Sequence, residues 1–291
     1  LLTLEEALNL LSSGYLRGGI GFLKAGEMIK GSSTVNRVVR LGVSHAYVAF
    51  VNQMGSIWIE KNIGYFLNHL FEVLTNAKSC ATHLDAIHSR RCIAFILRMV
   101  IGKVLTEKGQ FQAMKEIIRI ISQYSRIGHS AASTRAANNS GDNEDLSQSS
   151  SGLSPKNGAI TSDMQMAQHV LVVALLELGT LVHQLGPSCQ SILLDSQLAV
   201  IDTVCFIINH PSHVVRLSAS WCLRCIASAV NGQLTPLFER SLERLETLRS
   251  NPEAINGHSY VLSALLGTVR YTPLGIPQNK AKFIFSIGED L

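Results

Sequence analysis

Charge is what this sequence has least of. Only 16% of its 291 residues are Asp, Glu, Lys or Arg, where roughly 25% is usual for a globular chain. Aromatic residues are also thin, at 6%, and cysteine occurs six times. A disordered chain needs low hydrophobicity with high net charge, but here 46% of residues are hydrophobic, the mean hydropathy is +0.21 and the net charge is +4. A small disulfide scaffold needs dense cysteine and a collagen needs a glycine period, and neither is present. The small, dispersed positive charge gives no argument for nucleic acid. Isolated cysteines on apolar helical stretches fit a reducing, cytosolic setting. The charge deficit therefore implies a large core, or surfaces covered by something outside this segment.

Long hydrophobic runs are missing as well. The run from Cys92 to Ile101 is broken by Arg98, and that from Val170 to Leu181 by Glu177. A spanning helix needs about 18 nearly uninterrupted apolar residues, so both runs read as inner faces of buried helices and no transmembrane segment is expected. The chain opens Leu1-Leu2-Thr3 with no Met, basic start or cleavage site, and reads as an internal fragment of a longer polypeptide.

What is present is helical periodicity. Apolar residues recur at steps of three and four, and β-type alternation is nowhere sustained. Leu4, Leu8 and Leu11 form a first stripe opened by Thr3 and Glu6 in capping-box spacing. Further helices are predicted over 16–29, 34–54, 57–75, 82–105 and 107–126, then over 163–185, 195–209, 212–230, 234–249 and 253–271, with a last one opened by Pro277. Short connections carrying Gly, Asn, Ser or Pro make consecutive pairs antiparallel hairpins. Residues 128–162 differ in kind, with nine serines and almost nothing large and apolar. Such a segment cannot offset its ordering entropy by burial, so a disordered loop is expected to separate helical blocks 1–127 and 163–291. Within it, Ser154-Pro155 is a candidate proline-directed phosphorylation site.

Two stretches superimpose. Val38-Val39-Arg40-Leu41 is followed by small and apolar residues through Ala46, Ala49 and Phe50, and Val214-Val215-Arg216-Leu217 by Ala219, Cys222 and Ile226. The second is preceded by an apolar helix and the turn Asn209-His210-Pro211. This pattern resembles a HEAT repeat, with Val39, Arg40, Pro211, Val215 and Arg216 as its signature. The valine seats the helix on its hairpin partner, the small residues allow close approach of the next repeat, and the arginine reaches the turn or the adjacent repeat with its planar fork of donors. The residues outside the loop, divided by the ~40–47 of such a repeat, give about six hairpins. The predicted fold is all-α, an α-solenoid of HEAT-like antiparallel hairpins interrupted by one long loop.

Candidate chemistry is sparse. Cys222-Leu223-Arg224-Cys225 is a CxxC with His210 and His213 upstream, which raises a zinc or dithiol reading. The cysteines fall mid-helix between apolar residues, where they read as small core hydrophobes; a redox CxxC needs an exposed helix N-terminus. Cys80, Cys92, Cys189 and Cys205 show no partnered spacing. His83, His88, Arg90 and Arg91 could receive an acidic partner or phosphate, although a solvated helix face is the plainer reading. Lys30-Gly31-Ser32-Ser33 lacks P-loop spacing, and Ser33 or Thr34 is expected to be an N-cap. No enzyme motif stands out, so neither catalytic nor metal residues nor a cofactor are assigned.

The resemblance becomes more specific at Lys30 to Val35 leading into Val39-Arg40-Leu41-Gly42-Val43, at Ser89-Arg90-Arg91-Cys92 with Phe95-Ile96-Leu97-Arg98, at Trp221 to Cys225 with Gln233-Leu234-Thr235-Pro236, and at Pro273-Leu274-Gly275-Ile276-Pro277. Together these resemble the HEAT-repeat-containing protein 5 family of very large cytoplasmic solenoids. That resemblance implies a non-enzymatic trafficking scaffold, peripheral on endosomes, the trans-Golgi network and clathrin-coated vesicles. It also implies aftiphilin and gamma-synergin as clathrin-adaptor accessory partners, dynein-linked machinery, and a role in endosome-to-Golgi retrieval. The alternatives are a generic HEAT scaffold or importin-like carrier, against which the balance of 25 basic to 21 acidic residues speaks, and a dithiol or zinc protein built on Cys222 and Cys225.

Overall fold

The computed structural model describes residues 3–17, 32–138, 156–272, 275–278, 281–282 and 285–286, and all regular structure among them is helical. Helix α1, Leu4–Arg17, opens on the predicted capping box: Thr3 Oγ1 accepts from the Glu6 N–H at 3.2 Å, and the Glu6 carboxylate accepts from the Thr3 N–H at 2.8 Å. It runs through Ser12, Ser13 and Gly14 where the sequence suggested a break, because Ser12 bonds back to the Asn9 carbonyl and Tyr15 is buried in the last turn. The rest of the predicted 16–29 helix lies outside the described residues.

Helices α2, Ser32–Met54, and α3, Ser56–Thr75, match their predicted bounds to within two residues and meet at Gly55, whose φ of 80° suits glycine. The expected N-cap at Ser33 or Thr34 is corrected: the helix has already begun at Ser32, and hydroxyl residues are tolerated in a first turn whose N–H groups have no intrahelical acceptor. Helix α4, His83–Met99, is capped by Thr82, which accepts from the Asp85 N–H at 3.1 Å, and passes into a π-turn over Val100–Val104.

Helices α5, Glu107–Asn138, and α6, Lys156–Leu185, extend into the predicted loop from both sides. The helical part of 128–162 thus includes 128–138 and 156–162, which corrects the expected loop bounds. Ala131, Ala132, Arg135, Ala136 and Ala137 are strong helix formers, and intrinsic propensity favours helix there. Ser154 lies outside the described residues. After α6 come the short α7, Gln190–Leu193, then α8, Val200–Ile207, α9, His213–Ala229, α10, Leu234–Thr247, and α11, Pro252–Val269. Helix α8 starts five residues later than predicted. Asp195 holds a turn by accepting from the Gln197 N–H at 2.8 Å, and Ala199 is left-handed at φ 43°.

The chain divides into two compact units, Leu1–Glu116 with Ser122–Val173 and Ile117–Ile121 with Ala174–Leu291, so the boundary falls inside α5 and α6. In the first unit α2 packs on α1, α3 and α4, and α1 and α3 also touch. Helices α2 and α3 are antiparallel: Tyr47 Oη lies 2.9 Å from His69 Nε2, and Phe50 meets Trp58 edge-on at 5.6 Å. Helices α2 and α4 run parallel, since Arg40 faces Asp85 and Ser89 while His45 lies 4.9 Å from Phe95. The core between them holds Ile59, Ile63, Phe66, Leu67 and Leu70 of α3 with Ile93, Ile96 and Leu97 of α4, each contributing about 1.5–3 kcal/mol of apolar burial. In the second unit α9 packs on α8, α10 and α11. Again alternate helices associate, α9 with α11, and Trp221 of α9 is seated over Gly179 of α6, where a Cβ would come within 2.3 Å of its ring.

Among the described residues one helical stretch, Met164–Leu193, is long and apolar enough by composition to cross a membrane. A mean over the window tolerates the single Glu177 that breaks the apolar run. In the structure 61% of that window is buried inside the protein, Glu177 included.

Candidate functional site

The two copies of Val-Val-Arg-Leu fold alike in burying the arginine. Arg40 on α2 and Arg216 on α9 are 3% and 7% exposed. Arg216 Nη1 donates to the carbonyls of His210 and Pro211 at 2.8 Å each, clamping the turn before its own helix. Its Nη2 and Nε donate to Asn256 Oδ1 on α11 at 3.0 and 3.3 Å. Arg40 reaches forward in the same way: Nη2 donates to the Lys78 carbonyl, and Nη1 sits 3.5 Å from the Ser79 carbonyl, Asp85 Oδ1 and Ser89 Oγ. Its guanidinium also lies over the Tyr15 ring, 5.6 Å from the centroid. A serine four residues on, Ser44 or Ser220, donates back to the arginine carbonyl in both copies. Of the other predicted signature residues, Val215 is fully buried, Val39 half-buried and Pro211 exposed. The arginine thus joins one helix to the next-but-one, 40 to 49 residues on.

The remaining residues of the motif point outward. Val38 and Leu41 are 66% and 47% exposed, and their counterparts Val214 and Leu217 are 43% and 42% exposed. On α4 the outward stripe is Leu84, His88, Arg91, Phe95 and Arg98, at helical spacing and alongside α2. The four residues flagged on α4 part company: His83 and Arg91 are exposed, whereas His88 and Arg90 are half-buried. Burial, and then the guanidiniums of Arg40, Arg37 and Arg91, hold His88 below the usual histidine range.

Charge is divided between the helices in a way that sequence reasoning missed. In the first unit, α1 and α3 carry Glu5, Glu6, Glu60 and Glu72 against Arg17 and Lys61, while α2 and α4 carry Arg37, Arg40, Arg90, Arg91 and Arg98 against Asp85 alone. That one carboxylate is buried and committed to Arg40 and to the Thr82 hydroxyl, at 2.7 Å. In the second unit the division is weaker: α8 and α10 carry Asp202, Glu239, Glu243 and Glu246 against Arg240 and Arg244, while α9 and α11 carry Arg216 and Arg224 against Glu253. A tally of charge over alternate helices would have shown it.

Cys222 and Cys225 are buried in α9, and sequence spacing did not place Cys205 of α8 beside Cys222. Burial pushes the Cys222 thiol well above its ordinary value, Cys225 to about 12 and Cys205 to about 11. A reactive dithiol requires the opposite shift. Among the described residues no group of three or more His, Cys, Asp or Glu could hold a metal ion. No protein-family model matches the chain, and no solved structure matches it.

Proposed function

We propose that this chain is a non-enzymatic protein–protein interaction scaffold, a run of HEAT-like hairpins continuing as an α-solenoid, and that it serves vesicle trafficking between endosomes and the trans-Golgi network. The observation that supports it best is the repeated arginine. In each unit a buried Arg ties one helix to the next-but-one and to a turn, the linkage by which a stack of hairpins propagates from repeat to repeat. The outward Val and Leu beside each arginine leave side chains for partners on the same layer. Aftiphilin and gamma-synergin are the proposed partners, on the resemblance described above, and the placement is peripheral on endosomes and clathrin-coated vesicles. The test is affinity recovery with the full-length protein, with and without this segment. Loss of aftiphilin and gamma-synergin on deletion is expected; undiminished recovery of both would overturn the assignment of this segment as a docking region.

A further inference from the structure

We infer that Asn231 is a site of spontaneous chemical modification: the backbone nitrogen of Gly232 closes on its side-chain amide, and the asparagine is converted to aspartate and isoaspartate. Water is the co-reactant, and the inference stands independently of the scaffold reading.

The sequence holds three Asn-Gly pairs, Asn157-Gly158, Asn231-Gly232 and Asn256-Gly257, and the structure separates the last two. Asn231 and Gly232 open the short 3₁₀ turn, Asn231–Gln233, that joins α9 to α10, and both are exposed. The backbone bonds of this turn bypass the reacting groups. Val230 N–H donates to the Ile226 carbonyl at 2.8 Å, Gln233 N–H to the Val230 carbonyl at 2.9 Å, and Leu234 N–H to the Asn231 carbonyl. Among the described residues no hydrogen bond holds the Gly232 N–H or the Asn231 side-chain amide. A Cβ at Gly232 would meet nothing within 4 Å, so the approach is open, and glycine has no side chain to shield its own nitrogen. Asn256-Gly257, inside α11, is the opposite case. The Asn256 amide is held at both ends, accepting from Arg216 Nη2 at 3.0 Å and donating to Tyr260 Oη at 3.1 Å. Gly257 is buried within the helix, and a Cβ there would fall 2.2 Å from the Ile208 carbonyl oxygen. A pair held in this way reacts only after local opening.

The atoms balance. The Gly232 nitrogen gives its proton to solvent base and bonds to Asn231 Cγ; the Cγ–Nδ2 bond breaks, and the nitrogen takes up a proton and leaves as ammonia. Water then opens the cyclic imide. Cleavage at Cγ gives aspartate, and cleavage at the main-chain carbonyl gives isoaspartate, whose backbone runs through the former side chain; nothing is oxidised or reduced. Either product lowers the net charge of +4 by one. It also sets a carboxylate just before α10, whose first turn has no acidic residue and whose N-terminal dipole favours negative charge. Isoaspartate alone removes the main-chain carbonyl that accepts from Leu234 N–H, so it should loosen the start of α10.

The test ages the whole chain at physiological temperature and mildly alkaline pH, native and in urea, and follows each asparagine by proteolytic peptide mapping with mass spectrometry. Mapping reads the sites separately, so conversion at Asn157 does not enter. In the native protein Asn231 is expected to convert about tenfold or more faster than Asn256, and in urea the two should convert at rates within about twofold. Isoaspartate at 231, detected by methyl transfer from a protein isoaspartyl methyltransferase, is expected alongside aspartate. Gly232→Ala, whose methyl has room, should slow native conversion at 231 by about tenfold with far-UV circular dichroism unchanged. Native conversion at Asn231 no faster than at Asn256 would overturn the inference. So would a contrast that persists undiminished in urea, or aspartate at 231 with no isoaspartate, which would mean direct hydrolysis of the amide. Failure here leaves the recovery of aftiphilin and gamma-synergin unaffected, so the two readings fail separately.

Discussion

At the scale of single residues, burial sets the chemistry. His258 on α11 is buried with both ring nitrogens unbonded, and burial followed by the nearby Arg244 and Arg240 lowers its pKa from 6.5 to about 4. A histidine depressed in this way is neutral in the folded protein and binds its proton more readily when unfolded. Its neutral form therefore costs nothing above pH 6.5, and stability is lost as pH falls from there toward 4. The loss should reach about 2–3 kcal/mol, read as a falling denaturant midpoint, and His258→Leu should flatten that part of the curve. The cysteines follow the same logic. With thiol-reactive dye on the native protein, Cys205, Cys222 and Cys225 should label far more slowly than an exposed thiol, and rapid labelling of Cys222 and Cys225 would revive the dithiol reading. Spacing in the sequence marked the CxxC as core packing; the approach of Cys205 was not legible, because it arises between helices.

At the scale of helices, caps and faces decide. The Thr3–Glu6 box was readable because it is local, and α2 and α3 were readable because their apolar stripes are long. Less readable were the left-handed Ala199 that delays α8 and the alanine-rich extension of α5, where no strong periodicity competes with propensity. Two helical glycines separate propensity from packing. Gly42→Ala should stabilise by roughly 0.5–1 kcal/mol, since nothing lies within reach of the added methyl. Gly257→Ala should destabilise by about 1–3 kcal/mol, because its Cβ would fall 2.2 Å from the Ile208 carbonyl oxygen, which belongs to the backbone and cannot swing aside. Thermal melts of the two variants should shift in opposite directions.

At the scale of the molecule, the two arginine clamps lie in separate compact units and share no partner: Arg40 uses Lys78, Ser79, Asp85 and Ser89, and Arg216 uses His210, Pro211 and Asn256. Lysine cannot reproduce either fork, so Arg40→Lys and Arg216→Lys should each cost about 1–3 kcal/mol. The double variant should add within about 0.5 kcal/mol. Urea denaturation of the three variants checks this, and a double loss well short of the sum would mean that the clamps cooperate.

The low charge that first distinguished the sequence is, in the structure, uneven rather than merely low. Sequence alone determined that the protein is helical, where most helices run, and that Val-Val-Arg-Leu occurs twice, because periodicity and capping are properties of near neighbours. Tertiary structure decided which way that motif faces. Whether an arginine is buried or a leucine exposed depends on the helix that arrives forty residues later, and only packing placed Arg40 and Arg216 inside while leaving Val38, Leu41, Val214 and Leu217 outside. Packing also brought the arginine-bearing helices α2 and α4 together and left the acidic ones on the other layer.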